Sequence, residues 1–285
     1  MLKIIDHHSA SSGNTFMDCP QMWIIEKLYG FKTEENARMK MGHAAEEATH
    51  VCIKNQISDE ESITNEAKGK YIERCTNLGS TEDKEYEWSG KIANAFVKEL
   101  KEYGNLISYQ KEADVPGDKY GLKFNIVAKT DFEFEEYIVD TKATARIFRY
   151  KLARKKDEPL EMYIERQKAE KGKINYNYHP KPDHLRQQFL YREIFGKECL
   201  LLYGSPMSQP HNLQWDNHIS DLGDGTINYL EQLINAFKSI EHILNIANTK
   251  EDVVRIFPLT FSNWRWSYAS GAEEFARKIW SKAFK

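Results

Sequence analysis

The chain has 285 residues and a formal net charge of -3, with 41% hydrophobic and 29% charged residues. That length supports one large core, or a core with an appendage, and no run of about 18 apolar residues exists to span a membrane. The opening MLKIIDHHSASSG lacks the apolar centre of a signal peptide, and Cys19, Cys52, Cys75 and Cys199 form no CxxC pair, which sets aside disulfide frameworks and zinc ribbons. A cytoplasmic protein with free thiols is the expectation.

The first third reads as helical. SGNTFMDCPQMWIIEKLYG begins with capping residues and stops at Gly30, and TEENARMKMGHAAEEATHVCIK follows with Ala, Met and Glu at helical spacing. SDEESITNEAKGKYIERCTNLG places Ser58 three residues before Glu61, the spacing of a capping box, and TEDKEYEWSGKIANAFVKELKEYG runs from a Thr81 cap to Gly104. Strand signal then takes over. LISYQKEADV alternates, Pro116 and Gly117 turn the chain, and YGLKFNIVAKTDFEF followed by YIVDTKA reads as a hairpin. PDHLRQQFLYREIFG is a short helix with Pro182 near its start and Gly196 past its end. ECLLLYGS is a buried strand, INYLEQLINAFKSIEHILNIAN a long amphipathic helix and EEFARKIWSKAF a terminal one. This order predicts an α/β (α+β) protein: a mixed sheet flanked by helices, with a helical part over 1–105 and the core over 106–285, forming one compact unit.

Charge is unevenly placed. From Lys142 to Arg192 there are 14 Lys and Arg against 6 Asp and Glu, a net of +8, which leaves -11 for the remainder. Such a belt, with Arg146, Arg149 and Lys151 at its start, suits a polyanion. A solvated loop of mixed sign explains it equally well.

The hairpin raises a sharper point. A turn at Glu135 and Glu136 pairs Phe134 with Tyr137, Phe132 with Val139 and Asp131 with Asp140. Opposed residues have Cβ atoms about 5 Å apart on one face, so two carboxylates converge, and Lys142 emerges beside them. Two acids that close repel unless a cation intervenes, and an oxygen-rich set suits Mg²⁺ or Mn²⁺. Asp-x-Lys alone arises by chance about once in a chain of this length, so the weight falls on its pairing with Asp131. His43, Glu46, Glu47 and His50 share one helical sector, and spacing leaves all four as candidates for a further inward ligand.

Asp131, Asp140 and Lys142 resemble the signature of the PD-(D/E)XK nuclease superfamily, with Thr130 where its proline would stand. Further motifs resemble its RecB-like and lambda-type exonuclease branch: Ser9, Ser11 and Cys19-Pro20 at the start, Gly42 four residues before Glu46, and Gln187 four before Tyr191. The likeness spans about residues 7 to 205 and implies a restriction-endonuclease-like fold. It implies that Glu46, Asp131, Asp140 and the Thr141 carbonyl hold Mg²⁺ or Mn²⁺, that Lys142 acts at the phosphate, and that Gln187 and Tyr191 position it. Ser9, Ser11, His43, Arg146, Arg149 and Lys151, with Gln187 and Tyr191, would contact DNA. Many members hold an iron–sulfur cluster through the Cys-Pro cysteine and three later ones. Here FPLTFSNWRWSYASG has no cysteine, so no cluster is expected. The resemblance implies an exonuclease on linear DNA ends in phage or bacterial recombination and repair, beside a strand-annealing protein, and allows a homo-oligomer. A single-strand or structure-specific endonuclease of the same superfamily is the alternative.

Two other classes fit less of the pattern. Glu47-Ala48-Thr49-His50 is a Glu-x-x-His, as in di-iron bundles, but that fold needs a second copy and further glutamates. A binding module without catalysis would keep the basic belt and the aromatics of NWRWSY, with no reason to oppose two acids beside a lysine.

Overall fold

Capping and apolar spacing set the N-terminal helices. A computed structural model describes residues 5–75, 84–144, 159, 161–162, 165–166, 180–206, 213–215 and 228–285. After a two-residue strand, β1 (His7–His8), helix α1 (Ala10–Asp18) is capped by Ser9, whose hydroxyl accepts from the Ser12 amide. Cys19 leaves helical geometry at φ -154°, and Pro20 opens α2 (Pro20–Trp23), which runs on as a π-helical turn over Ile24–Leu28. Three longer helices follow: α3 (Ala37–Lys54), α4 (Glu60–Glu73) and α5 (Lys84–Leu100). The cap of α4 is Asp59, which accepts from the Ser62 amide, and not the expected Ser58. The carboxylate one residue later starts the helix there and shifts Glu61 out of the reciprocal position. The expected Thr81 cap lies outside the described residues.

The β region is one long antiparallel ribbon bent in the middle. Strands β2 (Ser108–Tyr109) and β3 (Glu112–Val115) run against β4 (Asn125–Lys129) and β5 (Phe132–Glu133). Ser108 pairs with Glu133 and Glu112 with Lys129, so a single register continues across the break. At the bend Gln110 adopts φ 53°, the left-handed region, while its amide still donates to the Asp131 carbonyl and Thr130 returns a bond to Lys111. The ribbon thus passes from one sheet, ordered β1-β4-β3, into a second that continues through β5 to β6 (Tyr137–Ala143), β7 (Glu198–Gly204) and β8 (Leu213–Trp215). YGLKFNIVAKTDFEF is therefore two strands in two sheets, not one.

β6 and β7 are parallel, and a parallel pair needs a crossover. Helix α6 (Pro182–Phe195) lies in that connection, with Pro182 in its first turn and Gly196 as its left-handed cap at φ 65°. Alternation along the strands then sorts two faces. Val139, Leu200 and Leu202 pack with α3, α4 and α5 around Met41, Ala45, Ala48 and Phe96, whereas Ile138, Cys199, Leu201 and Tyr203 face α6. α3 comes close because its contact residues are small: a Cβ on Gly42 would lie 3.4 Å from the Ala143 Cβ. The C-terminal helices α7 (Tyr229–Ile246), α8 (Lys250–Ile256) and α9 (Ala272–Ala283) return to the start of the chain. Trp23, Ile24, Ile25, Leu244, Val254 and Trp280 make that second core. Among the described residues no helix is long and apolar enough to cross a membrane.

Candidate active site

The bend in the ribbon creates the site. β6 pairs with β5 only at Phe132–Val139 and Glu133–Ile138, so the ladder ends one pair before Asp131 and Asp140 could face each other as strand partners. The expected direct opposition is thus replaced by a fork, in which β6 runs on beside β7 while β4 turns away into the other sheet. The fork frees the Thr141 amide, and a buried amide needs an acceptor. Asp131 Oδ2 supplies it, accepting from Thr141 N at 2.7 Å and from the Thr141 hydroxyl at 3.0 Å. Thr141 therefore orients Asp131 through its own amide and hydroxyl.

Asp140 is 1% exposed, and apart from the Lys142 ammonium on Oδ2 neither of its oxygens has a hydrogen-bond donor among the described residues. Burial, reinforced by the Asp131 charge and opposed by Lys142, pushes Asp140 up to about 7. Glu46 comes from α3 and accepts from the Tyr109 hydroxyl at 3.0 Å and the Gln110 amide at 3.2 Å. Burial first, and the Asp131 charge second, lift it to about 7 as well. Burial weighs against the Lys142 ammonium, but Asp140, Asp131 and Glu46 together hold it above its ordinary value. Lys142 Nζ also donates to Gln187 Oε1 at 3.2 Å, Gln187 Nε2 to the Tyr191 hydroxyl at 2.6 Å, and that hydroxyl to the Lys129 carbonyl. Gln187 and Tyr191, one turn apart on α6, thus tie the lysine back to the end of β4.

Asp140 and Lys142 line a cleft of about 750 Å³ together with Gly42, His43, Glu46, Asp131, Thr141 and Gln187, with Tyr191 behind Gln187 and outside that lining. Of the other candidates, His43 also lines the cleft. Ser9 caps α1 beside Ser11, outside the cleft lining. His43 lines the mouth but is held by Glu35, while Glu47 is paired with Arg74 and His50 stacks on Tyr109 at 4.0 Å. Arg146, Arg149 and Lys151 lie outside the described residues. Sequence reasoning missed His184 and Arg38, gave Lys181 only to the basic belt, and gave Trp264 and Tyr268 only to a binding module without catalysis; all five line the cleft. His184 meets the Tyr203 hydroxyl at 2.5 Å, and burial, then the nearby Lys142 charge, lowers it to about 4. Its position three residues before Gln187 on one helix face was the available signal.

The donor set fits a hard divalent cation by chemistry: three carboxyls, two of them lifted by burial and by the Asp131 charge, with the Lys142 ammonium the one donor on buried Asp140 among the described residues. As placed, the side chains do not enclose one. Among the described residues no three His, Cys, Asp or Glu side chains are gathered tightly enough, since Asp131 turns to Thr141 and Glu46 to Tyr109. Cys19 is a buried thiol donating to Gln21 Oε1 at 3.6 Å.

No protein-family model matches the chain, and no curated protein matches it. Among solved structures it is similar to the crystal structure of a "Putative exonuclease" from Eubacterium rectale, at 14% identity and a TM-score of 0.48, over 93% of this chain and 94% of that one. The functional reading rests on the residues of the site.

Proposed function

We propose that the protein is a metal-dependent deoxyribonuclease that degrades linear DNA from its ends. The observation that carries this reading is the buried, donor-poor Asp140 set beside Lys142, with Asp131 and Glu46 in the same cleft. Asp131, Asp140, Glu46 and the Thr141 carbonyl are the residues that would hold Mg²⁺ or Mn²⁺. Such an ion, when bound, polarises the scissile phosphate and lowers the pKa of a bound water. The Lys142 ammonium, held beside Asp140, would stabilise the charge that develops on the phosphate. Gln187, braced by Tyr191, would position that ammonium, since it accepts a hydrogen bond from Lys142 Nζ. The basic segment from Lys142 to Arg192 would guide the strand through phosphate contacts.

Cys19 is packed against Gln21, and the Glu-x-x-His of α3 spends Glu47 on Arg74 and His50 on Tyr109. The test is a time course on 5′- and 3′-labelled linear DNA beside a closed circle, with Mg²⁺ and with chelator. The proposal expects mononucleotides or short products from the linear substrates alone, and only with metal. Cleavage of the circle at an equal rate would replace end degradation by endonuclease action, and no cleavage of any DNA would overturn the nuclease.

A further inference from the structure

The turn after α8 is built in an unusual way for a surface loop. Its five residues Trp264–Tyr268 form a tight helical turn, with Asn263 capping it through the Arg265 amide. Trp266 points inward, 4% exposed, with its ring edge against Phe261 at 4.9 Å. Trp264 and Tyr268 point outward and are 53% and 49% exposed. Their rings meet edge to face at 5.5 Å. The turn is pinned to the end of α1, for Asn263 donates to the Asp18 carbonyl at 2.6 Å and Arg265 to the Asp18 carboxylate at 2.8 Å.

A lone exposed aromatic is ordinary surface. Two features set this pair apart. Both rings line the cleft that holds Asp131, Asp140 and Lys142, and both also line a second hollow of about 410 Å³ floored by Pro182 and Arg186, so they form the lip between the two. The lip is also cationic: the Arg265 guanidinium lies 4.9 Å from the Trp264 ring centre and the Lys181 ammonium 6.0 Å from it. Arg265 is already paired with Asp18, so the Lys181 ammonium is the charge that an apolar protein surface docking here would have to cover. A planar ring carrying a phosphate suits both the aromatic faces and that ammonium.

We infer that Trp264 and Tyr268 are a base-stacking platform that receives unpaired bases of single-stranded DNA at the mouth of the cleft. The turn is held rigid so that little ordering is needed on binding, which favours stacking. In a duplex the bases are stacked on one another, and only a frayed or single-stranded end offers a free face. The platform therefore selects single strands and overhangs over blunt duplex ends. This substrate class rests on the nuclease reading, but the stacking itself is measurable without cleavage.

The experiment uses the full chain with chelator present. Fluorescence anisotropy would compare a labelled oligothymidylate, an abasic chain of the same length and a blunt duplex. Wild type should bind the oligothymidylate at least about tenfold more tightly than the abasic chain. Trp264→Ala should lose that advantage while binding the abasic chain as before, and Trp264→Phe should retain most of it. Circular dichroism checks that the variants are folded, as expected for an exposed position. Equal affinity of wild type for the two single strands, or an advantage untouched by Trp264→Ala, would overturn the platform. If base-dependent binding through Trp264 is found while no DNA is cleaved with Mg²⁺, the platform stands and the nuclease reading falls. Cleavage without base dependence gives the opposite result.

Discussion

Asp140 and Glu46 keep their protons to about pH 7, against ordinary values of 3.8 and 4.5, because they are buried beside Asp131. A carboxyl whose folded pKa is raised stabilises the fold fully below its unfolded value, and that stability is lost as pH rises through the folded value. Metal-free protein should therefore lose thermal stability between about pH 4 and pH 8. Asp140→Asn should flatten that slope, and Mg²⁺ at the upper end should restore the melting temperature of the wild type, since a cation offsets the same repulsion. Melting curves across pH with chelator and with Mg²⁺ check both points, and a slope unchanged by Asp140→Asn would remove Asp140 from the account. At this scale the sequence was informative. Asp140 and Lys142 could be singled out because alternation puts them on one face of β6, Asp131 because the hairpin register brings it near Asp140, although not as its strand partner, and Glu46 followed from Gly42 by resemblance. Thr141 was assigned only a carbonyl, because nothing in DTK says that a ladder ends there and frees its amide for Asp131.

Helix α3 decides which of its acids enters the cleft. Ala45 and Ala48 lie fully buried against the sheet side, and Gly42 lets the helix meet Ala143, so Glu46 emerges at the cleft edge under Tyr109. Glu47, one residue and about 100° further round, reaches Arg74 instead. Glu46→Ala should cut cleavage by more than about 100-fold and raise the metal concentration required. Glu47→Ala should leave cleavage nearly unchanged and cost about 1 kcal/mol or less, as its pair with Arg74 is partly exposed. Paired metal titrations of the two variants would decide, and the reverse pattern would mean that the helix is rotated from this placement. The β ribbon was less legible than the helices. Gln110 takes a left-handed φ that glycine or asparagine would have announced, and glutamine does not. The break between β4 and β5 therefore carried no local signal, although the register of β5 against β6 did.

Across the molecule the two ends of the chain close on each other. His8 in β1 stacks on Phe237 at 4.5 Å and meets Glu241 at 3.0 Å, and the same carboxylate accepts from the Lys123 and Phe124 amides. This one buried acid joins α7, β1 and the approach to β4. Glu241→Ala strands three donors at once and should cost about 2–4 kcal/mol in urea unfolding, while leaving the cleft residues in place. Glu241→Gln, which keeps an acceptor, should cost less. Such long-range closure is invisible in the sequence, where His8 stands before the first helix and Glu241 on a helix face, because the pairing depends on tertiary packing alone. The central claim is that Asp140 works as part of a carboxylate set for phosphodiester cleavage. The most direct measurement is single-turnover cleavage of end-labelled linear DNA with saturating Mg²⁺, wild type beside Asp140→Asn, with DNA binding followed in parallel. The account predicts a fall of about 1,000-fold or more in the variant's rate with affinity for DNA nearly unchanged. A wild-type rate from Asp140→Asn would contradict it.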